Sequence, residues 1–274
     1  MIKKSIQQLK KNGYFTISNL ISKSECRKIK KELIKLNNKL KKNKYFLNEG
    51  SRYGQDIIRD LPLREPNVFL KYTSLNKIIK TIENVFNDKA ILDNMMGSNS
   101  VNVKGNYNRH IHIDSQMPIN NFHLTTDVIV MICIDEFKIE NGATKIWPGS
   151  HKSGKRIHHL KKNKNINNKF KYLIVPSGGA AIILGQTWHQ VGKNISGKSR
   201  WSIFLHYTRW WIKPSTNFTK CGNKIFKMLT PKQKHLFGFT SISPSYDFVK
   251  NTKKIYMNRN LKEVPKNYYK ALNY

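Results

Sequence analysis

The chain has 274 residues, 39% of them hydrophobic and 11% aromatic, enough for one well-buried domain with appendages. Its formal net charge of +34 at pH 7 draws in anions and repels cationic substrates. Cys26, Cys133 and Cys221 are few, odd in number and far apart, which excludes a disulfide framework and a cysteine zinc site, and no stretch reaches the roughly 20 apolar residues of a membrane span.

Residues 2–12 read as a short amphipathic helix that Gly13 stops, and Tyr14 to Ile17 as a strand. The basic start lacks the apolar core of a signal peptide, so a cytoplasmic protein is expected. Ser22 and Glu25 stand at capping-box spacing. The apolar residues Cys26, Ile29, Leu33, Leu36 and Leu40 then recur at helical spacing, with the lysines between them as a solvated face. Leu75 to Phe86 reads as a further helix. From about 90 to 210 the pattern becomes short apolar runs separated by Gly, Pro, Asn and Ser, which is the mark of an all-β core. Within it, Asp127 to Ile134, Ala180 to Leu184 and Arg200 to Tyr207 read as buried strands. Asn141-Gly142 and Pro176-Ser177-Gly178-Gly179 are turns, and Lys161 to Lys169 an exposed loop. Thr230-Pro231 opens a short helix ending at Gly238.

The chemistry centres on His112-Ile113-Asp114. Alternate side chains of a strand point to the same face, so His112 and Asp114 are expected to project together from one strand end toward one ion. His189 follows directly on a buried strand and can supply a second imidazole from elsewhere in the fold. Two imidazoles and one carboxylate occupy one face of an iron(II) ion and leave the other open for a co-substrate and oxygen. Arg200, eleven positions after His189, offers a guanidinium fork to an acidic co-substrate.

These pieces occur in a recognisable order. His112-Ile113-Asp114, Asn141-Gly142-Ala143, Pro148-Gly149-Ser150-His151-Lys152, then His189, Asn194 and Arg200 resemble the phytanoyl-CoA dioxygenase family of iron(II)- and 2-oxoglutarate-dependent oxygenases. The opening, Gly13-Tyr14-Phe15-Thr16-Ile17 into Leu20-Ile21-Ser22, fits as well. The resemblance spans about residues 8–212. It implies a mainly β fold with flanking helices around a double-stranded β-helix, the jelly-roll or cupin-like core. It implies His112, Asp114 and His189 as iron ligands, Arg200 as the partner of the 2-oxoglutarate C5 carboxylate, and oxygen as the second co-substrate. The family also contacts 2-oxoglutarate from the strand before the Asn-Gly turn, but Met131 stands here, so that contact is not transferred. Halogenating relatives lack the metal carboxylate; Asp114 is present, which implies hydroxylation. The expected organisation is a single domain, with residues 213–274 as a C-terminal extension on or beside the barrel.

Other polar residues near these motifs have weaker readings. His110, Arg109 and Gln116 flank the His-x-Asp pair and could face substrate. His151 and Asn194 read as structural, fixing loops beside the site, and His158-His159 as an exposed pair. Trp188, Trp201, Trp210 and Trp211 read as core more than as a substrate cage. The expected substrate is a small molecule, favoured if anionic. Basic residues are spread from end to end, so coding bias explains the charge more simply than a nucleic-acid module does. A nucleic-acid-directed dioxygenase and a non-catalytic binding protein on the same fold are the alternatives.

Overall fold

In the computed structural model, residues 2–42, 55–101, 110–115, 124–154 and 169–241 are described. In chain order the elements are α1 (Ile2–Asn12), β1 (Tyr14–Ile17), α2 (Lys23–Lys41), β2 (Gln55–Ile58), α3 (Leu61–Arg64), α4 (Pro66–Phe69) and α5 (Asn76–Phe86). Then follow β3 (Ala90–Ser100), β4 (Asp127–Cys133), β5 (Lys145–Ile146), β6 (Lys171–Tyr172), β7 (Ala180–Leu184), β8 (His189–Gln190) and β9 (Arg200–Arg209), closed by α6 (Gly222–Met228) and α7 (Pro231–Leu236). The strands build a six-stranded sheet in the order β1-β7-β4-β9-β3-β2 and a three-stranded sheet in the order β6-β5-β8. The pairs β1–β7, β4–β7, β2–β3, β5–β6 and β5–β8 are antiparallel. This is the jelly-roll core with flanking helices that the sequence implies.

The chain divides into two compact units: residues up to 59 with 96–204, and 60–95 with the residues from 205 onward. In the first, α2 forms for the reasons its sequence states. The Ser22 side chain accepts from the Glu25 amide while Glu25 reaches back to the Ser22 amide. Cys26, Ile29, Leu33 and Leu36 face inward and are buried. β4 and β7 are buried along their whole length, as continuous apolar runs must be. From β4 and β7, Met131, Cys133, Ala181 and Ile183 point into one cluster with Phe137, Ala143, Ile146, Leu173 and Val175. That cluster is the floor on which the site is built.

The second unit packs Ile78, Ile79, Ile82 and Phe86 of α5 into its core. Tyr207 donates to the Thr73 carbonyl at 2.9 Å, and Gln233 of α7 donates to the Leu70 carbonyl at 2.7 Å. The helix opened by Thr230-Pro231 carries a second capping box, Thr230 with Gln233. It ends at Leu236, and the polypeptide reverses at Gly238 with φ +84°. β2, β5, β6, β8, α3, α4 and α6 carry no local signal clear enough to read from the sequence. Each of these strands has at most four residues, and their pairing comes from distant partners.

Candidate metal centre

His112 and His189 are joined by an antiparallel bridge, each amide donating to the other's carbonyl at 2.9 Å. Extended pairing of this kind sets the two imidazoles side by side, with ring centroids 4.3 Å apart. His112 lies in this isolated bridge and not in a regular strand. Two residues on, the Asp114 amide donates to the Gly185 carbonyl at 3.0 Å, which ties the His-x-Asp segment to the end of β7. A Cβ at Gly185 would overlap the Asp127 carboxylate, so any larger residue there would have to displace that side chain.

The structure therefore brings His112, Asp114 and His189 together. One ligand atom from each lies within 4.8 Å of the others. Asp114 bridges the two imidazoles, with Oδ1 3.6 Å from His112 Nε2 and Oδ2 3.4 Å from His189 Nε2. Ligand atoms each about 2.1 Å from a shared ion stand about 3 to 4 Å from one another, which the two carboxylate–imidazole distances match. His189 is buried, whereas His112 and Asp114 are partly open to solvent.

Each imidazole is also held in the tautomer a metal needs. His112 Nδ1 lies 3.0 Å from the His110 carbonyl, and His189 Nδ1 lies 3.0 Å from the Thr187 carbonyl. A carbonyl only accepts, so Nδ1 carries the proton and the Nε2 lone pair faces the other ligands. Burial opposes a charge on His189, but the Asp114 carboxylate and the Thr187 carbonyl outweigh it and raise its pKa above the usual imidazole value. The carboxylate that attracts this proton would equally attract a divalent cation. Nitrogen–oxygen donor sets of this composition suit iron(II) with open positions.

Arg200 opens β9 and is 1% exposed. Its guanidinium carbon stacks 3.6 Å from the centre of the Phe137 ring, a cation–π contact inside the apolar cluster. Burial pushes the neighbouring Cys133 thiol far up, and the Arg200 charge only partly offsets this, so the thiol stays neutral. The start of β9 is anchored by Asp135, which accepts from the Trp201 amide at 2.9 Å and pairs with Lys30 at 2.7 Å. A planar cation held this way, in a wall of apolar side chains, is suited to a carboxylate with which it can share two hydrogen bonds.

The surrounding turns explain the other motifs. Gly142 has φ +81°, and a Cβ there would stand 2.7 Å from the Gly192 carbonyl oxygen, so the Asn-Gly turn fits against the loop after His189 only as glycine. Asn194 orders that loop by donating to the Ser100 and Lys198 carbonyls. Ser150 of the Pro-Gly-Ser-His turn accepts from the Trp188 amide at 2.9 Å and donates to the Trp147 carbonyl at 2.7 Å. His151 packs over Gly13 and contacts the Lys10 carbonyl. His110 is exposed, and its carbonyl meets His112 Nδ1. Trp188 and Trp201 are buried, whereas Trp211 is exposed. Arg109, Gln116, His158, His159 and the segment from 242 lie outside the described residues. Sequence reasoning missed Phe137, Asp135 and the anchoring role of Ser150. Their partners are distant in the chain, and no local pattern marks them.

Comparison with known proteins identifies the family and the fold. The family described as "Phytanoyl-CoA dioxygenase (PhyH)" matches residues 9–202. An uncharacterized protein of Mycobacterium tuberculosis is 22% identical over 201 residues, 70% of each chain. The dioxygenase cdmA of Talaromyces verruculosus is 24% identical over 118 residues, 43% of this chain and 39% of the fungal protein. Among solved structures, the non-heme α-ketoglutarate-dependent epimerase SnoN from nogalamycin biosynthesis superposes with a TM-score of 0.60 at 14% identity, covering 78% of this chain and 84% of SnoN. HygX from Streptomyces hygroscopicus, solved with nickel and 2-oxoglutarate bound, also gives 0.60 at 14% identity, over 76% of this chain and 87% of HygX.

Proposed function

Because the chain belongs to the phytanoyl-CoA dioxygenase family, we propose that it is an iron(II)- and 2-oxoglutarate-dependent oxygenase that hydroxylates a small, anionic organic substrate. The observation that carries this reading is the convergence of His112, Asp114 and His189 on one point. Their donor set fits iron(II), and the buried Arg200 fits the far carboxylate of 2-oxoglutarate. When bound, iron(II) with 2-oxoglutarate and oxygen supplies the oxidising chemistry, and the co-substrate leaves as succinate and carbon dioxide.

The residues of this chain supply placement. The His110 and Thr187 carbonyls hold the proton of each neutral imidazole on Nδ1, so Nε2 is the atom that would bind an ion. The bridge between His112 and His189 fixes the ligand spacing before any metal arrives. Phe137 holds the guanidinium flat, so 2-oxoglutarate meets a pre-set fork and loses less entropy on binding. Phe137 belongs to a buried apolar cluster, so the guanidinium stacked on it is shielded from water on that side. Support for a small substrate comes from HygX, solved with hygromycin B bound, and from SnoN, solved with nogalamycin RO. The net charge of +34 favours an anionic substrate over a cationic one. SnoN is an epimerase, so the product separates the outcomes: hydroxylation adds one oxygen atom to the substrate, and epimerisation leaves its mass unchanged.

The test is anaerobic titration of the purified chain with iron(II) and then 2-oxoglutarate, followed by the weak visible charge-transfer absorption of the ternary complex. The wild type should develop the band, and His189→Ala should not. Arg200→Lys should retain iron while needing roughly 10- to 100-fold more 2-oxoglutarate, the cost of losing charge-assisted hydrogen bonds. A wild-type protein that binds neither ligand would overturn the assignment and leave the non-catalytic reading.

A further inference from the structure

α2 carries a feature that the candidate metal centre does not use. Lys23, Arg27, Lys31, Lys35 and Lys39 recur at every fourth position, and all five are exposed. Residues four apart are neighbours on a helix surface, so these side chains form one continuous oblique ridge. It crosses the face opposite the buried Cys26, Ile29, Leu33 and Leu36. Successive cations advance by about 6 Å along the axis, a step comparable to that between neighbouring phosphates of a nucleic-acid strand.

The ridge is not arranged for helix stability. Like charges at four-residue spacing repel, and Lys23 sits in the first turn, where the helix dipole disfavours a cation. The two carboxylates of the helix do little to neutralise it. Glu25 is engaged in the capping box, and among the described residues Glu32 pairs with Lys35 alone, at 3.1 Å. Lys30 and Lys41, which lie off the ridge, have acidic partners in Asp135 and Asp56. For Lys23, Arg27, Lys31 and Lys39 no ion pair is found among the described residues.

We infer that this ridge is a docking surface for the phosphate backbone of a nucleic-acid strand. Charge complementarity and regular spacing select a linear polyanion. A membrane surface is the weaker match. The apolar face that a membrane-lying helix would insert is already buried in the core, and Ile34, 40% exposed, is the one large apolar side chain that α2 shows to solvent. The exposed face offers no aromatic ring on which bases could stack, so contact is with phosphate, independent of base sequence and steeply salt-dependent.

The experiment uses the full chain and a fluorescein-labelled random single-stranded 20-mer, with anisotropy read across a series of sodium chloride concentrations. Three variants are compared with the wild type. The first replaces the five ridge cations with Gln. The second replaces five exposed lysines elsewhere, Lys77, Lys80, Lys171, Lys220 and Lys227, with Gln, removing the same charge. The third replaces the four ridge lysines with Arg. The ridge-to-Gln variant should bind at least ~30-fold more weakly at low salt, and its slope of log affinity against log salt should fall by about 3.5, near 0.7 for each of five lost phosphate contacts. The control should stay within about 3-fold of wild type, and the Arg variant should bind like wild type, since phosphate contact needs only the charge. Unchanged far-ultraviolet dichroism shows that α2 still forms, and an unchanged iron and 2-oxoglutarate spectrum keeps this result separate from the proposed activity. Equal loss in the ridge and control variants would overturn the inference in favour of diffuse charge. So would an absence of oligonucleotide binding, or ridge-dependent binding to phosphatidylserine vesicles without oligonucleotide binding.

Discussion

One hydroxyl ties the strand that carries His189 to a turn far from it in the chain. Ser150 Oγ accepts from the Trp188 amide and donates to the Trp147 carbonyl, so it braces the peptide next to a candidate metal ligand. Removing the hydroxyl leaves a partly buried amide without its acceptor, which costs about 1 to 2 kcal/mol. Ser150→Ala should therefore lower the denaturation midpoint and also weaken iron binding by several-fold. Ser150→Thr, which keeps the hydroxyl, should recover most of both. Guanidinium chloride melts and anaerobic iron titration of the two variants check this. The residue was visible in the sequence as part of Pro148-Gly149-Ser150-His151, where the histidine draws attention first. His151 instead contacts the Lys10 carbonyl and packs over Gly13, because Gly13 at φ +83° leaves room there that a Cβ would fill.

At the scale of elements, local signals worked where a local interaction decides the outcome. The N-terminus of α2 is set by four consecutive residues, and Ser22 and Glu25 form the reciprocal bonds their spacing predicts. Ser22→Ala should destabilise the protein by about 1 kcal/mol, read from a thermal or denaturant melt, with no change in metal affinity, since α2 contributes no ligand. A loss well above this, or altered iron binding, would mean that the cap fixes more than its own helix. The strands divide differently. β4 and β7 were legible because continuous apolar runs are rare outside buried strands. β5, β6 and β8 have two residues each and exist only because they pair with one another. No two-residue pattern could announce them. β8 nevertheless carries His189, and its register against β5, Ile146 opposite His189, helps fix where the imidazole stands.

At the scale of the whole molecule, stability depends on pH through His235. Burial, with the Lys89 charge adding to it, pushes this imidazole down to about 4, and Asp88 only partly resists. Its Nδ1 contacts Thr240 Oγ1, and Nε2 is buried without a hydrogen-bond partner among the described residues. Between the folded value and the ordinary 6.5, the unfolded chain takes up a proton that the folded chain does not. The stabilisation is therefore complete above about pH 6.5 and declines by roughly 1.4 kcal/mol per pH unit as the pH falls toward 4. His235→Gln should flatten this slope, as measured by denaturant melts of the metal-free protein at several pH values. The opposing contribution of His189, whose pKa is raised, acts in the window above 6.5, whereas His151, lowered by burial, adds a slope of the same sign below 6.5 that the His235 variant should retain. Asp93, held below the usual carboxylate range by His206 and Ser215 despite its burial, acts below 3.8.

The amino-acid sequence by itself determined the class of fold, the helical and apolar strand segments, and the spacing of His112, Asp114, His189 and Arg200. Those are properties of periodicity, capping and motif order, which neighbouring residues dictate. Tertiary structure decided what surrounds them: the carbonyls that set both imidazole tautomers, the Phe137 ring beneath the guanidinium, and the Ser150 brace on Trp188. It also decided that Asp114 lies between the two histidines. These contacts join segments that only the folded sheets bring within hydrogen-bonding or van der Waals range. Such forces act over a few ångströms of space, whatever the distance along the chain.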